Sequence, residues 1–282
     1  MRINNLIGVS GSMNSGKDLV GGMLQYIDLA DNPTYDEYQY EVNLEPNYEI
    51  KKCAEKLKEV VALIIGCKRK DLEDEEFKNK ELGEEWWRYE MKVGDEKVLI
   101  SKASYEQLSA HKKMYWNLVK LTPRMILQQF GTQGGRMVIH PNIWVNALFA
   151  DWKQIGSPLV VKAKGLEPRF PQWIITDVRF PENEGKAVKD RDGLLIGIKR
   201  HFALKHPEYA FRAYEDRPYD VPSMLMNDNE KLFDSLNHES EIAMGDHSWC
   251  DVVIENNGTI EELFNNVLDA VKTNIKLKLD KV

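Results

Sequence analysis

The sequence predicts an α/β fold built on a parallel sheet. A short apolar run, LIGVS at 6–10, precedes a glycine-bearing loop and then helical spacing of apolar residues over 17–30. Further along, the buried strand WIIT at 173–176, helical spacing over about 181–190 and a second strand at 194–199 form a strand–helix–strand unit. Units of this kind join parallel strands, because the crossover needs a helix-length connection.

Composition excludes several classes of protein. The 282 residues suit one large α/β domain or two modest ones, and no apolar run approaches the roughly 20 residues that cross a bilayer. The N-terminus has no secretory signal, so a cytoplasmic location is expected. A net charge of −7 argues against nucleic acid or a membrane as partner. Three cysteines without a C-x-x-C pair are predicted to be free thiols.

The middle of the chain reads as an insertion. Apolar spacing predicts an amphipathic helix at 50–66 that ends at Gly66, and its apolar stripe fits either a core or a homodimer interface. The β-rich runs at 86–101 around Gly94-Asp95 predict a hairpin, and 104–120 returns to helical spacing.

The second half of the chain returns to α/β patterning. After Pro123 the spacing predicts a helix stopped by Gly131, a glycine-containing turn and a further helix at 142–155. A strand, an Asn-Gly turn and a helix are predicted from about residue 251 onward.

The loop GSMNSGKD at 11–18 has the spacing of a phosphate-binding loop, Gly11 and then Gly16-Lys17 four residues later. Glycines let the backbone wrap an anion, the next helix directs its N-terminal N–H groups at the anion, and Lys17 adds a charge. We therefore predict phosphate binding here. The alternative is an ordinary Gly-Ser turn with a surface lysine.

Asp18 occupies the place where such loops usually carry a Ser or Thr hydroxyl that binds Mg²⁺. Its carboxylate could bind Mg²⁺ directly or through water, or it could cap the helix, where a negative group suits the dipole. The sequence leaves these roles open.

Other charged residues follow predicted strands or lie near turns and helix ends. Asp177 comes directly after WIIT, where ligands of parallel sheets gather, and an acidic residue there can hold Mg²⁺. Arg124, Arg136 and Arg179 could each bind a phosphate bidentately. The alternatives are a plain turn for Asp177 and surface ion pairs for the arginines.

Two other clusters have simpler explanations. HESE at 238–241, with Asp246, His247 and Asp251, could be a metal cluster, but a polar turn is the favoured interpretation. Trp86, Trp87 and Tyr89 could stack a base, although packing of the hairpin on its neighbouring helix is favoured.

Four segments together resemble the deoxynucleoside monophosphate kinases of bacteriophages, a branch of the phosphate-loop nucleoside monophosphate (NMP) kinases. They are GSMNSGKD at 11–18, LQQFGTQGGRMVIHPNIWVNAL at 127–148, TDVRFPENE at 176–184, and HESE leading into DVVIENNGTIEEL at 251–263. The loop of this family also commonly ends in Gly-Lys-Asp, in agreement with Asp18. The resemblance covers most of the chain in order.

The resemblance implies a three-layer α/β/α core over about 1–35 and 121–282, a mostly helical NMP-binding insert at about 45–120 and a lid-like segment at about 201–236. It also implies transfer of the γ-phosphoryl group of ATP to a deoxynucleoside monophosphate (dNMP), with Mg²⁺, in the host cytoplasm if the protein is viral. A kinase for another small acceptor and an ATP-dependent binding module are the competing hypotheses.

The implied roles fall on matching positions only. The ATP phosphates would be held by Gly11, Ser12, Met13, Asn14, Ser15, Gly16, Lys17 and Asp18, with Mg²⁺ organised by Asp177. Lys17 would neutralise the migrating group. Acceptor and transferred phosphates would meet Arg124, Arg136 and Arg179, and the acceptor pocket would be lined by Gln128, Thr132, Gln133, Trp144 and Asn146. A separate hypothesis is that the lid-like segment supplies cations to the phosphates from Arg200, Arg212 and Arg217.

Overall fold

The computed structural model describes residues 5–40, 45–94, 96–166, 168–201, 244–245 and 247–279. The chain divides into two compact units, which we call the core unit (Met1–Cys53 with Val145–Val282) and the inserted unit (Ala54–Trp144). The sequence-based division placed the insert at about 45–120, whereas the inserted unit runs to Trp144. The predicted lid-like segment, apart from residue 201, lies outside the described residues.

The strands in chain order are β1 (Leu6–Gly11), β2 (Glu49–Lys51), β3 (Trp87–Val93), β4 (Glu96–Ser101), β5 (Asn117–Lys120), β6 (Trp173–Val178), β7 (Leu194–Lys199) and β8 (Val252–Glu255). The helices are α1 (Lys17–Leu29), α2 (Tyr35–Tyr40), α3 (Ala54–Ile65), α4 (Glu75–Asn79), α5 (Lys102–Glu106), α6 (Ala110–Lys113), α7 (Pro123–Gln129), α8 (Ile143–Phe149), α9 (Pro158–Ala163), α10 (Lys186–Lys189) and α11 (Ile260–Leu279). Short 3₁₀ segments cover Arg69–Glu73 and Glu84–Trp86, and π-helical segments cover Phe130–Ile139 and Pro181–Gly185.

The core unit contains a five-stranded sheet in the order β2-β6-β1-β7-β8. All four pairings are parallel: β2 with β6, β6 with β1, β1 with β7, and β7 with β8. The α/β class and the parallel sheet predicted from the sequence are thus confirmed. Because every strand runs the same way, the residues that follow the five strands gather at one edge of the sheet.

Helices cover both faces of this sheet. Ile7 and Val9 of β1 belong to a buried cluster with residues of α1 and α11, among them Met23 and Phe264. Leu6, which precedes Ile7 and points to the opposite face, belongs to a second cluster that includes residues of α8 and α10. Successive side chains of a strand point to opposite faces, so both faces of an apolar strand need cover. The three-layer α/β/α arrangement predicted for the core is confirmed.

Two helix boundaries predicted from the sequence are wrong for tertiary reasons. The helix predicted over 50–66 begins only at Ala54, because 49–51 pair with β6 as the edge strand β2. The helix predicted over 142–155 ends at Phe149. Just beyond it, the indole N–H of Trp152 donates to the carbonyl of Pro171 at 2.9 Å and its ring stacks on Phe170.

The inserted unit has its own three-stranded antiparallel sheet in the order β4-β3-β5. The β3–β4 pairing confirms the predicted hairpin at 86–101. The helical prediction for 104–120 is wrong at its end, since Asn117–Lys120 is strand β5, paired with β3. Pairing with the hairpin strand β3 outweighs local helical spacing there.

The helix that begins at Pro123 does not stop at Gly131, contrary to the sequence prediction. Helix α7 passes directly into the π-helical segment, which continues to Ile139. Gly135 permits this, because a Cβ there would lie 2.9 Å from both the carbonyl oxygen of Phe130 and Cζ2 of Trp144. The indole N–H of Trp144 donates to the carbonyl of Gly131 at 2.9 Å. The glycines therefore serve close packing rather than a turn.

This packing predicts unequal effects for two neighbouring glycines. Replacing Gly135 by Ala should lower the free energy of unfolding by about 1–3 kcal/mol, because the new methyl group meets backbone and a buried ring. Replacing Gly134 by Ala is the matched control, since its Cβ would lie 3.3 Å from the edge of the Phe130 ring and nothing closer. Urea denaturation measures both, and equal effects would contradict the packing explanation.

Among the described residues, no helix is long and apolar enough to cross a membrane.

Candidate phosphate-binding site

The loop between β1 and α1 folds back on itself at the carboxyl end of its strand. The Ser15 N–H donates to the Ser12 carbonyl at 3.2 Å, and Lys17 Nζ donates to the same carbonyl at 3.0 Å. Asn14 has a φ of 59° and Gly16 a φ of 97°, both in the left-handed region. Helix α1 begins directly after Gly16. The turn, the Lys17 ammonium and the start of helix α1 thus lie together, as an anion site requires.

Ser15 supports phosphate binding by an independent observation. Its hydroxyl is buried, and it has no hydrogen-bond partner in the part of the chain that the structure describes. Leaving a buried hydroxyl without a partner costs free energy, so such groups normally have one. A phosphate oxygen in the loop would be a suitable acceptor, and the loop residues therefore fit a bound phosphate.

Parallel topology brings charged and polar residues to the same edge as the loop. Lys52 follows β2, Asp177 lies near the end of β6 and Arg200 follows β7. The strand register shows that these residues lie at the same height along the sheet as the start of the loop. Ser10 pairs with Val178, and Gly11 pairs with Ile198. An Arg200 Nη1 donates to the Asn14 carbonyl at 3.3 Å. Of the predicted lid cations, Arg200 is therefore next to the loop, while Arg212 and Arg217 lie outside the described residues.

Asp18 connects the start of α1 to the sheet. Its Oδ1 accepts a hydrogen bond from the Thr176 hydroxyl at 2.7 Å and lies 3.0 Å from Lys52 Nζ. Burial raises the pKa of this carboxyl, but the Thr176 hydrogen bond and the Lys52 and Lys17 charges hold the pKa below its ordinary value. Asp18 is therefore a carboxylate at neutral pH. These contacts add an anchoring role to the three roles that the sequence left open.

The two carboxylates predicted to organise Mg²⁺ both belong to the core unit. Asp177 Oδ1 accepts the backbone N–H of Cys53 at 2.6 Å. No group of three or more His, Cys, Asp or Glu side chains that could hold a metal occurs among the described residues. Mg²⁺ usually binds through one or two carboxylates, with waters and substrate phosphates supplying the other ligands. Two carboxylates are therefore sufficient, and Asp18, in the first turn of α1, and Asp177, near the end of β6, are the candidates at this sheet edge.

Arg179 lies on a turn that a buried side chain holds in place. Glu184 is 3% exposed, and its Oε2 accepts the backbone N–H of Arg179 at 2.6 Å and that of Phe180 at 3.1 Å. The turn continues as the π-helical segment Pro181–Gly185. The backbone that carries Arg179 is therefore fixed directly after β6.

In the inserted unit, three of the predicted acceptor residues are arranged along one stripe. Gln128, Thr132 and Arg136 are spaced four residues apart on the continuous helix formed by α7 and the π-helical segment. Residues four apart lie on nearly the same face, whether the local turn has 3.6 residues or more. Because the helix continues through Gly131, these side chains stay on one stripe.

The other residues of the predicted acceptor set differ in their surroundings. Arg124 pairs with Glu75, and its Nε donates to Asn79 Oδ1 at 2.9 Å. Trp144 is 5% exposed and packs on Phe130, so its described contacts are those of a core residue. Gln133 and Asn146 are exposed. No described contact assigns any of them to an acceptor, and those roles are still predictions.

The alternatives considered from the sequence find simple structural explanations. Asp251 Oδ2 accepts the Leu195 N–H at 2.8 Å and Asp251 pairs with Lys189, which is a structural role. HESE and Asp246 lie outside the described residues. Tyr89 stacks on Tyr105, in agreement with packing of the hairpin. All three cysteines are free, and burial raises the pKa of the Cys250 thiol to about 12, so it stays protonated.

Sequence reasoning missed four side chains that organise this edge: Lys52, Thr176, Glu184 and Asn256. Asn256 follows β8 and donates from Nδ2 to the Ser15 carbonyl at 2.8 Å. The only sequence signal for it was its place in ENNGTIEE after a predicted strand. Lys52 and Thr176 could be found only by knowing which strands are neighbours, whereas Glu184 binds backbone N–H groups of Arg179 and Phe180, close to it in sequence.

Comparison with known proteins supports the resemblance inferred from the four segments. No protein-family model matches the chain. A curated relative, the deoxynucleoside-5′-monophosphate kinase of Escherichia phage T5, is 24% identical over 276 residues, which cover 89% of this chain and 97% of the relative. The expected resemblance to a bacteriophage deoxynucleoside monophosphate kinase is thus confirmed.

Two solved structures also align over nearly the whole chain. A protein from Thermus thermophilus has 14% identity and a TM-score of 0.39, with coverage of 97% of this chain and 98% of that protein. A dephospho-CoA kinase from Campylobacter jejuni has 12% identity and a TM-score of 0.35, with coverage of 98% and 100%. The fold assignment rests on the sheet and its helices rather than on these scores.

Proposed function

We propose that this protein is a phosphate-loop kinase that transfers the γ-phosphoryl group of ATP to the 5′-phosphate of a dNMP, giving a deoxynucleoside diphosphate and ADP. The observation that carries the proposal is the loop 11–18, with Lys17 folded over it and Ser15 unsatisfied within it. The similarity to the phage enzyme along most of both chains supports the choice of acceptor.

The protein would promote this reaction chiefly by positioning the two nucleotides and by neutralising charge on their phosphates. Phosphoryl transfer spreads negative charge over the oxygens of the transferred group. The loop N–H groups and the start of α1 would hold the ATP phosphates, and Lys17 would stay with the migrating group. Arg179, on its fixed turn at the same sheet edge, would supply a guanidinium to the transferred phosphate.

Mg²⁺ would be held at Asp18 and Asp177. When bound, Mg²⁺ would supply positive charge that neutralises part of the negative charge of the phosphates. Asp18 Oδ1 already contacts Thr176 and Lys52, so its second oxygen, directly or through a water molecule, is the one we assign to the ion. Asp177 keeps its carboxylate near the same edge through the Cys53 N–H.

The inserted unit would bind the acceptor. We assign the acceptor phosphate to Arg136 together with Arg124, and the rest of the nucleotide to the neighbouring residues of the stripe. Arg124 would exchange its pairing with Glu75 for the phosphate, a stronger bidentate partner. Gln133, Trp144 and Asn146 stay predicted acceptor residues, and Arg200, Arg212 and Arg217 are the proposed lid cations.

The decisive experiment is incubation with ATP, Mg²⁺ and each of the four dNMPs, the four ribonucleoside monophosphates and the nucleosides in separate reactions. Chromatography of the products should show a deoxynucleoside diphosphate and an equal amount of ADP. A ribonucleoside diphosphate, or a monophosphate formed from a nucleoside, without any deoxynucleoside diphosphate would give the acceptor role to a different small molecule. ADP released without any acceptor product would instead indicate an ATP-dependent binding module.

The proposed partners are small molecules, ATP and a dNMP, with no nucleic acid or membrane, and a homodimer is compatible with the sequence. The proposed location is the cytoplasm.

A further inference from the structure

Asn256 connects the last strand of the sheet to the phosphate-binding loop. It follows β8 directly, is 7% exposed and donates from Nδ2 to the Ser15 carbonyl at 2.8 Å. Its backbone N–H donates to the Lys199 carbonyl at 2.7 Å, which ties it to β7 as well. Both its backbone and its side chain are therefore fixed, although 241 residues separate it from Ser15 in sequence.

This hydrogen bond sets the orientation of one peptide unit in the loop. In a trans peptide the carbonyl and the next N–H point in opposite directions. With the Ser15 carbonyl bound to Asn256, the Gly16 N–H must point away from Asn256. A Cβ on Gly16 would lie 2.6 Å from Asn256 Nδ2, so the glycine makes room for the amide. Gly16 also needs its left-handed φ of 97°, which other residues rarely adopt.

We infer that Asn256 is a positioning residue that holds the loop 11–18 in its phosphate-binding form before the nucleotide arrives. A loop that is already ordered does not lose conformational entropy when it binds, and this raises affinity. A neutral amide suits the place, because a carboxylate there would repel both the Ser15 carbonyl and the phosphates. The inference rests on the proposed function only for the identity of the ligand, ATP.

The test compares Asn256→Ala and Asn256→Asp with Asn257→Ala. Asn257 is a matched control because it is the adjacent residue of the same type, is exposed, and bonds His201 and Glu255 instead of the loop. Asn256→Asp keeps the shape of the side chain but replaces the donor by a negatively charged oxygen, so it removes the hydrogen bond without leaving a cavity if the alanine variant does not fold.

Three readouts are needed. Hydrogen exchange of the loop amides, followed by mass spectrometry without nucleotide, should be at least several times faster in both Asn256 variants than in Asn257→Ala. Calorimetric titration with ATP should give a Kd about tenfold weaker, the loss expected for one hydrogen bond. In turnover assays the KM for ATP should rise while the KM for the acceptor stays unchanged, a split that general destabilisation would not produce.

The outcomes separate this inference from the proposed function. If exchange of the loop amides in both Asn256 variants matches that in the control, the positioning role is wrong, whatever the protein binds. Faster exchange with unchanged ATP affinity also overturns it, because the loop order would then not serve nucleotide binding. If the wild type binds no ATP, the proposed function fails, and the exchange comparison still decides whether Asn256 orders the loop.

Discussion

Replacing Lys17 by Met should lower the rate of phosphoryl transfer by about two to three orders of magnitude without unfolding the protein. The ammonium group lies 3.0 Å from the Ser12 carbonyl, over the loop that would hold the phosphates. Methionine keeps a long apolar stem but has no charge to stabilise the negative transferred group. The measurement is kcat at saturating ATP and acceptor, with far-ultraviolet circular dichroism as the check on folding.

Lys186→Met is the matched control for this experiment. Lys186 lies in the same core unit, on α10, and its Nζ pairs with both carboxylate oxygens of Asp190 at the surface. Losing an exposed ion pair of this kind changes stability by about 1 kcal/mol or less. Its kcat should equal that of the wild type. A Lys17→Met enzyme with near-normal kcat would mean that the phosphates are not held at this loop.

The loop was predictable because all its parts are adjacent in the sequence. A buried strand, a glycine-rich turn and an amphipathic helix within residues 6–29 define its geometry, and the structure reproduces each of them. The position of Asp177 at this edge of the sheet was predictable for a related reason. Parallel strands end at one edge, so a polar residue after a buried run must lie near the residues that follow the other strands.

The side chains that support the loop were not predictable in the same way. Asn256 and Ser15 meet only because β8 lies beside β7, which lies beside β1, and no local pattern encodes that order. Asp18 shows the same limit: its spacing indicated a metal ligand or a cap, whereas its described contacts reach Thr176 on β6 and Lys52 beyond β2. The pairing of strands that are distant in sequence determines which partner a short polar side chain contacts.

Gly131 and Gly135 show a different limit. Glycine disfavours a helix because of backbone entropy, and a sequence argument therefore places a stop there. In the folded unit, missing side chains let neighbouring groups approach: a Cβ on Gly131 would lie 2.9 Å from Leu57, and one on Gly135 would meet Trp144. Close packing outweighs the entropic cost, and the helix continues. Whether a glycine ends a helix or lets it pack depends on contacts that the local sequence does not contain.

Loss of the Glu184 side chain should lower the stability of the protein markedly. Its Oε2 accepts two backbone N–H groups, those of Arg179 and Phe180, and the side chain is almost fully buried. Glu184→Ala would leave both donors, which belong to half-buried residues, without this acceptor. Each such loss costs about 1–3 kcal/mol, so we expect the free energy of unfolding to fall by about 3 kcal/mol.

Two further variants serve as controls for the effect of Glu184→Ala. Glu182→Ala changes an exposed residue of the same turn and should alter the free energy of unfolding by about 0.5 kcal/mol or less. Glu184→Gln keeps an acceptor oxygen and should recover most of the loss. Urea denaturation of the four proteins gives the order wild type, Glu182→Ala, Glu184→Gln, Glu184→Ala. If Glu184→Ala were as stable as Glu182→Ala, another group would have to hold the turn that carries Arg179.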